Sequence, residues 1–319
     1  MTMMTMIDIF GENVKNCAIV GHVHPDGDCA GSVTAAYLYL TENCPGLTVV
    51  PFLEPLPSEI AFLTDGIPVR SDDGAEEQFD LCISLDASDL YRIGAGKKAF
   101  ESAQKTWCLD HHETNSGFAD ENYVLPDASS TCEVLCTKFD MDRISKEAAI
   151  RLYTGMVHDT GVFTYDCTSG STLRYAADLI DKGIPFTDII RESVKDEGYS
   201  VLKLKADVIA NSTFYPEERL LYAEAPVEMQ HKYGLTSRDL SSVVVALSDT
   251  KEADVILFMY QYEDLSWKGS MRSRCDISVS ELASALGGGG HRKAAGFSVE
   301  DHPELARDMI RAKLREKAE

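Results

Sequence analysis

Residues 17–28 read Cys-Ala-Ile-Val-Gly-His-Val-His-Pro-Asp-Gly-Asp, and this stretch decides the fold. Its apolar start, 17–23, has the length and composition of a buried strand. Pro25 and Gly27 then break regular structure and force a turn. A helical pattern follows at 29–40. Strand, loop and helix in that order open an α/β sheet, and such sheets bind ligands beyond the carboxyl ends of their strands. The loop carries His22, Asp26 and Asp28. Asp28 alone could cap the helix, but a cap needs one oxygen. Three ligand-type side chains within seven residues point instead to metal binding.

Working outward, apolar runs at 47–53, 80–85 and 105–109 read as further strands. Helical patterns fall at 130–139, 146–157 and 171–182. The alternation predicts an α/β fold, with a mainly parallel N-terminal sheet covered on both faces. A charged stretch at 191–198 and a helical pattern running to 209 read as a connection. This divides the chain into a catalytic domain at 1–190, a helical linker at 191–212 and a smaller α/β domain at 213–319. Within the last, runs at 219–223, 242–248, 253–262, 267–272 and 294–299 read as strands of a mixed sheet, with a helix at 279–286. Segment 52–73 reads as either a cover loop or packing.

Three more predicted element ends carry ligand chemistry: Leu85-Asp86-Ala87-Ser88-Asp89, Leu109-Asp110-His111-His112 and His158-Asp159-Thr160-Gly161. Each alone is an ordinary turn. The repetition raises them together, offering Asp86, His111 and Asp159 beside His22, Asp26 and Asp28. Carboxylates and imidazoles without thiolates suit manganese, magnesium or a similar ion. A shared carboxylate would hold two such ions roughly 3.5–4 Å apart. A nearby Asp, such as Asp110, can fix an imidazole tautomer. In the second domain, Gly287-Gly288-Gly289-Gly290-His291-Arg292-Lys293 lacks the Lys-Ser or Lys-Thr of a P-loop. Its glycines still let backbone N–H groups approach a phosphate. Lys268, Arg272, Arg274, Arg292 and Lys293 outnumber Asp276 and Glu281 around it.

That local basic strip stands in a chain of net charge −22, with 52 acidic against 30 basic residues. The balance argues against a surface for long nucleic acid, which needs a basic face, but allows a short anionic substrate. The start carries no basic residue in 1–11, and no apolar run is long enough for a bilayer, so a cytoplasmic protein away from membranes is expected. Nine cysteines with no CxxC spacing read as reduced, mostly buried thiols. No motif reports on a homodimer, which stays open.

HVHPDGD, LDASD, DHH, HDTG and GGGGHRKAAG, in that order, resemble the DHH phosphoesterase superfamily with its DHH-associated C-terminal domain. The resemblance spans about 16–297, and the chain's length is similar to the branch of oligoribonucleases and 3'-phosphoadenosine-5'-phosphate phosphatases. It implies that His22, Asp26 and Asp86 hold one manganese ion, and that Asp28, Asp86, His111 and Asp159 hold a second. It further implies that Asp110 orients a histidine and His112 contacts the scissile phosphate. Arg272, Ser273 and the loop Gly288, Gly289, Gly290 and His291 would bind the substrate's other end. The implied activity is hydrolysis of short RNA to 5'-mononucleotides, or of 3'-phosphoadenosine-5'-phosphate to AMP and phosphate. Cyclic or linear dinucleotides, pyrophosphate and polyphosphate are alternatives, and a nucleotide sensor is the non-enzymatic rival. The chain departs from the pattern at His24, often a small polar residue, and at 162–165, which lacks a basic residue sometimes seen there.

Overall fold

Strand β1 (Asn16–Val20) is buried from Cys17 onward, as an apolar strand in mid-sheet must be when helices cover both faces. Its neighbours are β2 (Thr48–Phe52), β3 (Leu81–Leu85), β4 (Thr106–Asp110) and β5 (Glu121–Val124). All five are parallel, in the order β2-β1-β3-β4-β5. The chain therefore leaves β1 toward one edge and returns on its other side, making a switch point between β1 and β3. The computed structural model describes residues 14–290 and 292–318, and the chain divides into two compact units, Met1–Asp196 and Glu197–Glu319.

In the first unit, α1 (Gly27–Asn43), α3 (Thr131–Lys138) and α4 (Lys146–Asp159) pack one face of the sheet, while the short α2 (Lys97–Ser102) covers the other. Helix α5 (Gly170–Asp181) adds Ala176 and Leu179 to the first core. Strand β5 and helix α2 escape a sequence reading. The first is a four-residue, largely exposed edge strand, and the second is only six residues long. Segment 52–73 turns out to be packing: Leu53, Ile60 and Leu63 enter the core. The buried Arg151 of α4 holds the segment by donating to Leu63 O at 3.3 Å and Asp65 O at 3.1 Å.

Helices α1 and α4 approach closely because the contact is made of glycine. A Cβ at Gly31 would lie 2.6 Å from Arg151 O, and one at Gly155 would lie 2.8 Å from Asp28 Oδ1 and 2.3 Å from Cys132 Sγ. This approach brings the start of α1 beside the end of α4, where the ligand-type residues sit.

The second unit begins with α6 (Tyr199–Ala210), read from the sequence as part of a connection, whose Leu204 and Val208 enter this unit's own core. Its sheet runs β10-β11-β9-β8-β7-β6, built from β6 (Thr213–Tyr215), β7 (Leu220–Ala225), β8 (Val255–Gln261), β9 (Trp267–Ser273), β10 (Gly289–Gly290) and β11 (Ala294–Val299). Only β7 and β8 are parallel, so the sheet is mixed. Helices α8 (Val279–Ser284) and α9 (Pro303–Ala318) lie with the core on one face. The run at 242–248 is a correction: it is not a strand but helix α7 (Ser241–Ser248). Its β-branched valines suggest a strand, yet Val243, Val244 and Leu247 share one helical face buried against the sheet, and packing overrides propensity.

Replacing Gly155 by alanine should separate α1 from α4 and displace Asp28, since the clashing atoms are buried. Overpacking of this kind costs about 1–3 kcal/mol. Thermal unfolding should show a lower midpoint for the variant, and an unchanged midpoint would contradict the close approach.

Candidate active site

The loop after β1 is tied down on both sides. Val23 N–H donates to Arg92 O at 2.7 Å, and His22 bridges Ile93. Asp26 caps α1, its Oδ1 accepting from the N–H groups of Asp28 and Cys29 at 3.0 and 3.1 Å. The cap is thus Asp26, and Asp28, one step into the first turn, is free of that duty. Asp28 is fully buried, and its oxygens accept from Thr131 N–H at 2.6 Å and Cys132 N–H at 2.9 Å at the start of α3. A carboxylate is favoured there by the helix dipole.

Asp86 follows β3 with φ +60° and is buried. A non-glycine residue in this region is uncommon and costs about 1–3 kcal/mol. The turn sets its two oxygens toward two imidazoles. Oδ2 lies 3.4 Å from His22 Nε2 and Oδ1 lies 3.6 Å from His111 Nε2. Thr131 Oγ1 donates to Oδ1 at 3.0 Å. On the first side, His22 Nε2 also faces Asp26 Oδ2 at 3.7 Å, while His22 Nδ1 meets Val23 O at 2.8 Å, which fixes Nδ1 as the protonated nitrogen. On the second, His111 Nε2 is 3.2 Å from Asp159 Oδ2, and Asp28, His111 and Asp159 each offer an atom within 4.8 Å of the others.

The cluster is electrostatically unbalanced as a set of protein groups. Burial pushes the Asp28 carboxyl well up, and the charges of Asp86 and Asp159 push it further. Burial, with Asp86 and Asp26, raises Asp159 to about 6 against the opposing pull of His111. Burial opposes a charge on His111, but Asp159, Asp28 and Asp86 outweigh it and carry the ring to about 10. Burial likewise opposes a charge on His22, and Asp26 and Asp86 override it, raising that ring too. Four carboxylates crowded on two imidazoles are what a divalent cation neutralises, and the donors are oxygen and nitrogen of the right kind.

Asp110 serves a different end. It is fully buried, and its Oδ1 meets His112 Nδ1 at 2.7 Å and accepts from His111 N–H at 2.9 Å. Its Oδ2 accepts from Asn115 Nδ2 at 2.6 Å. Burial works against the Asp110 charge, but His112 and Asn115 hold its pKa down, and Asp110 in turn raises His112 against burial. His24 stands apart: 94% exposed, it pairs with Glu54.

Arg272, Ser273, Gly288, Gly289 and Gly290 belong to the second unit, with β11 lying between the strand of Arg272 and Ser273 and that of Gly289 and Gly290. Arg272, in β9, stands opposite Ala294, and Ser273, which ends the strand, donates its N–H to Lys293 O at 2.9 Å. Gly289 and Gly290 are not an open loop but the short strand β10, paired with Gly296 and Ala295. Arg274 and Lys293 donate to the carbonyls of Thr250 and Cys275, so part of the basic strip is spent locally. His291 lies outside the described residues.

Sequence reasoning missed Asn115, Thr131 and Cys29. Asn115 and Thr131 look like ordinary loop and helix-start residues, and only the fold shows them on Asp110 and Asp86. Cys29 lies within 4.8 Å of ligand atoms of His22 and Asp86 and accepts from His22 N–H at 3.2 Å. Burial pushes its thiol up to about 11, so it stays protonated unless a cation displaces the proton. All nine cysteines are free, six of them buried.

Carboxylates and imidazoles gathered at a parallel-sheet switch point form a donor set that can hold divalent cations. Residues 16–156 match the DHH family, N-terminal domain, and residues 217–319 match the DHHA1 domain, so the chain belongs to the DHH family. It is 26% identical over 298 residues to the probable bifunctional oligoribonuclease and PAP phosphatase NrnA of Streptococcus mutans, covering 90% of this chain and 92% of that one. It is 26% identical to the bifunctional oligoribonuclease and PAP phosphatase NrnA of Bacillus subtilis, covering 90% of each. Among solved structures, an exopolyphosphatase-related protein of Bacteroides fragilis superposes with a TM-score of 0.87 at 26% identity, covering 96% of this chain and 93% of that one. No helix among the described residues is long and apolar enough to cross a membrane.

Two outcomes follow from the site's bonding. Asn115→Leu keeps volume but removes the donor on Asp110 Oδ2. Turnover should fall about 10- to 100-fold, the usual cost of losing an orienting partner, with bound metal unchanged in elemental analysis. Unchanged turnover would show that Asp110 orients His112 unaided. The second concerns pH. Asp159 titrates at about 6 when folded against 3.8 ordinarily. Between those values the folded chain holds a proton that the unfolded chain has released, so metal-free stability falls as pH rises through that window. In chelator, the wild type should lose more unfolding temperature than Asp159→Asn from about pH 4 to 6. Identical pH profiles would contradict the crowding of Asp159.

Proposed function

We propose that this protein is a manganese-dependent phosphoesterase that hydrolyses short oligoribonucleotides to 5'-mononucleotides and 3'-phosphoadenosine-5'-phosphate to AMP and phosphate. The observation that carries the reading is Asp86, set between His22 and His111 with one oxygen toward each. His22, Asp26 and Asp86 would hold one divalent ion, and Asp28, Asp86, His111 and Asp159 the other. When bound, such a pair of ions supplies an activated water and neutralises charge on the phosphoryl group.

The chain's own residues do the rest. Asp110 fixes His112 through Nδ1, so Nε2 is the nitrogen that would donate to a phosphoryl oxygen. The raised pKa of His112 favours its charged, donating form. Asp26 closes the helix start while keeping Oδ2 toward the site. The buried Asp28 resists displacement because backbone donors grip both its oxygens. Arg272, Ser273 and the glycines of β10 would bind the far phosphate or nucleotide end. Support for nucleotide substrates comes from the names of the Streptococcus and Bacillus relatives, and the net charge of −22 favours short RNA over long. The Bacteroides relative's name favours a second reading, hydrolysis of inorganic polyphosphate.

Manganese-dependent hydrolysis of a 5'-labelled RNA series, from dinucleotide upward, tests both readings when 3'-phosphoadenosine-5'-phosphate and inorganic polyphosphate are run in parallel. The shortest RNAs should be cut fastest, and Asp86→Ala should abolish the activity. Cleavage confined to long RNA would sink the short-substrate argument, and turnover of polyphosphate alone would establish the second reading.

A further inference from the structure

The turn after Asp159 is built against its own backbone preferences. Gly161, Val162 and Phe163 lie in the left-handed region, at φ 53°, 57° and 62°. A β-branched residue there is a genuine outlier, and such strain persists only where other contacts over-determine it. Those contacts are present. Val162 N–H donates to Val157 O at 2.8 Å, Phe163 N–H to Thr160 Oγ1 at 2.9 Å, and Tyr165 N–H to Thr160 O at 3.0 Å. Val162 and Phe163 turn inward against the core, Phe163 meeting the Tyr153 ring at a centroid distance of 5.9 Å.

Tyr165 turns the other way. The hydroxyl end of its ring lies against Gly161, where an added Cβ would fall 2.4 Å from its Cζ. The residue stays 53% exposed. The hydroxyl end of the ring is thus seated on glycine backbone while about half of the residue meets solvent, on a turn pinned to the helix end that carries Asp159.

We propose that Tyr165 is a specificity-determining residue whose open ring face stacks on the base of a nucleotide while the phosphate lies at the Asp86, His111 and Asp159 cluster. This role presupposes a nucleotide ligand at the site proposed above. Stacking tolerates any base, because every base has a π-face, and is worth about 5- to 100-fold in affinity. It gives the protein a preference for nucleoside phosphates over phosphates without a base. Gly161 is required because any side chain there would lift the ring from its seat and strain the turn.

Binding separates this role from turnover. The manganese-loaded protein is titrated calorimetrically with 5'-AMP and with ribose 5-phosphate, which carries an anomeric hydroxyl in place of the base. The wild type should bind AMP about tenfold more tightly. Tyr165→Leu, which keeps apolar cover over Gly161 without a π-face, should lose that preference while holding ribose 5-phosphate and its unfolding temperature. Tyr165→Phe should keep it. A wild type without preference for AMP, a preference intact in Tyr165→Leu, or equal weakening of both ligands would each overturn the proposal. A clear AMP preference in a protein that cleaves no oligoribonucleotide would instead sink the activity proposed above and leave the stacking role standing.

Discussion

The site depends on one carboxylate facing two imidazoles. Asp86 takes a left-handed backbone conformation so that its oxygens point in different directions, one to His22 and one to His111. Everything else in the first unit can be understood as holding that arrangement. Thr131 fixes one oxygen, and the bridge between His22 and Ile93 fixes the loop that carries the first imidazole. The cost is a crowd of like charges in a poorly solvated place, visible in the raised carboxyl groups of Asp28 and Asp159. Protein groups alone relieve that crowding by keeping protons. Divalent cations relieve it without them, which is why the same geometry reads as a metal centre.

The fold supplies this crowding through topology and small residues. The switch point between β1 and β3 opens a crevice at their carboxyl ends, and β4 delivers Asp110, His111 and His112 beside it. The second wall is helical. Gly31 and Gly155 let α1 and α4 approach until Asp28 and Asp159 reach His111 together. A chain with larger residues at those points would keep its motifs but not their convergence.

Much of this was legible in the sequence, and the reasons differ by element. The three inner strands, β1, β3 and β4, announce themselves as apolar runs leading into Asp or His, because burial on both faces leaves no room for polar alternation. The edge strand β5 carries little apolar signal, since one side has no partner. The valine run at 242–248 misled because β-branched residues serve a buried helix face as well as a strand. Within the site, residue types at strand ends were enough to find Asp86 and His111. Asn115 and Thr131 were not found, because their roles lie in contacts across 5 and 45 residues that no local pattern encodes. The glycine run at 287–290 was read as a loop, yet half of it pairs as an edge strand.

The most direct test of the account is the metal stoichiometry of Asp86→Asn beside the wild type. Each is loaded with manganese, dialysed and measured by elemental analysis. The account predicts two ions per wild-type chain, and at most one in the variant, with folding intact by circular dichroism. A variant that retains both ions, or a wild type that binds none, would contradict the role of Asp86 as the shared ligand.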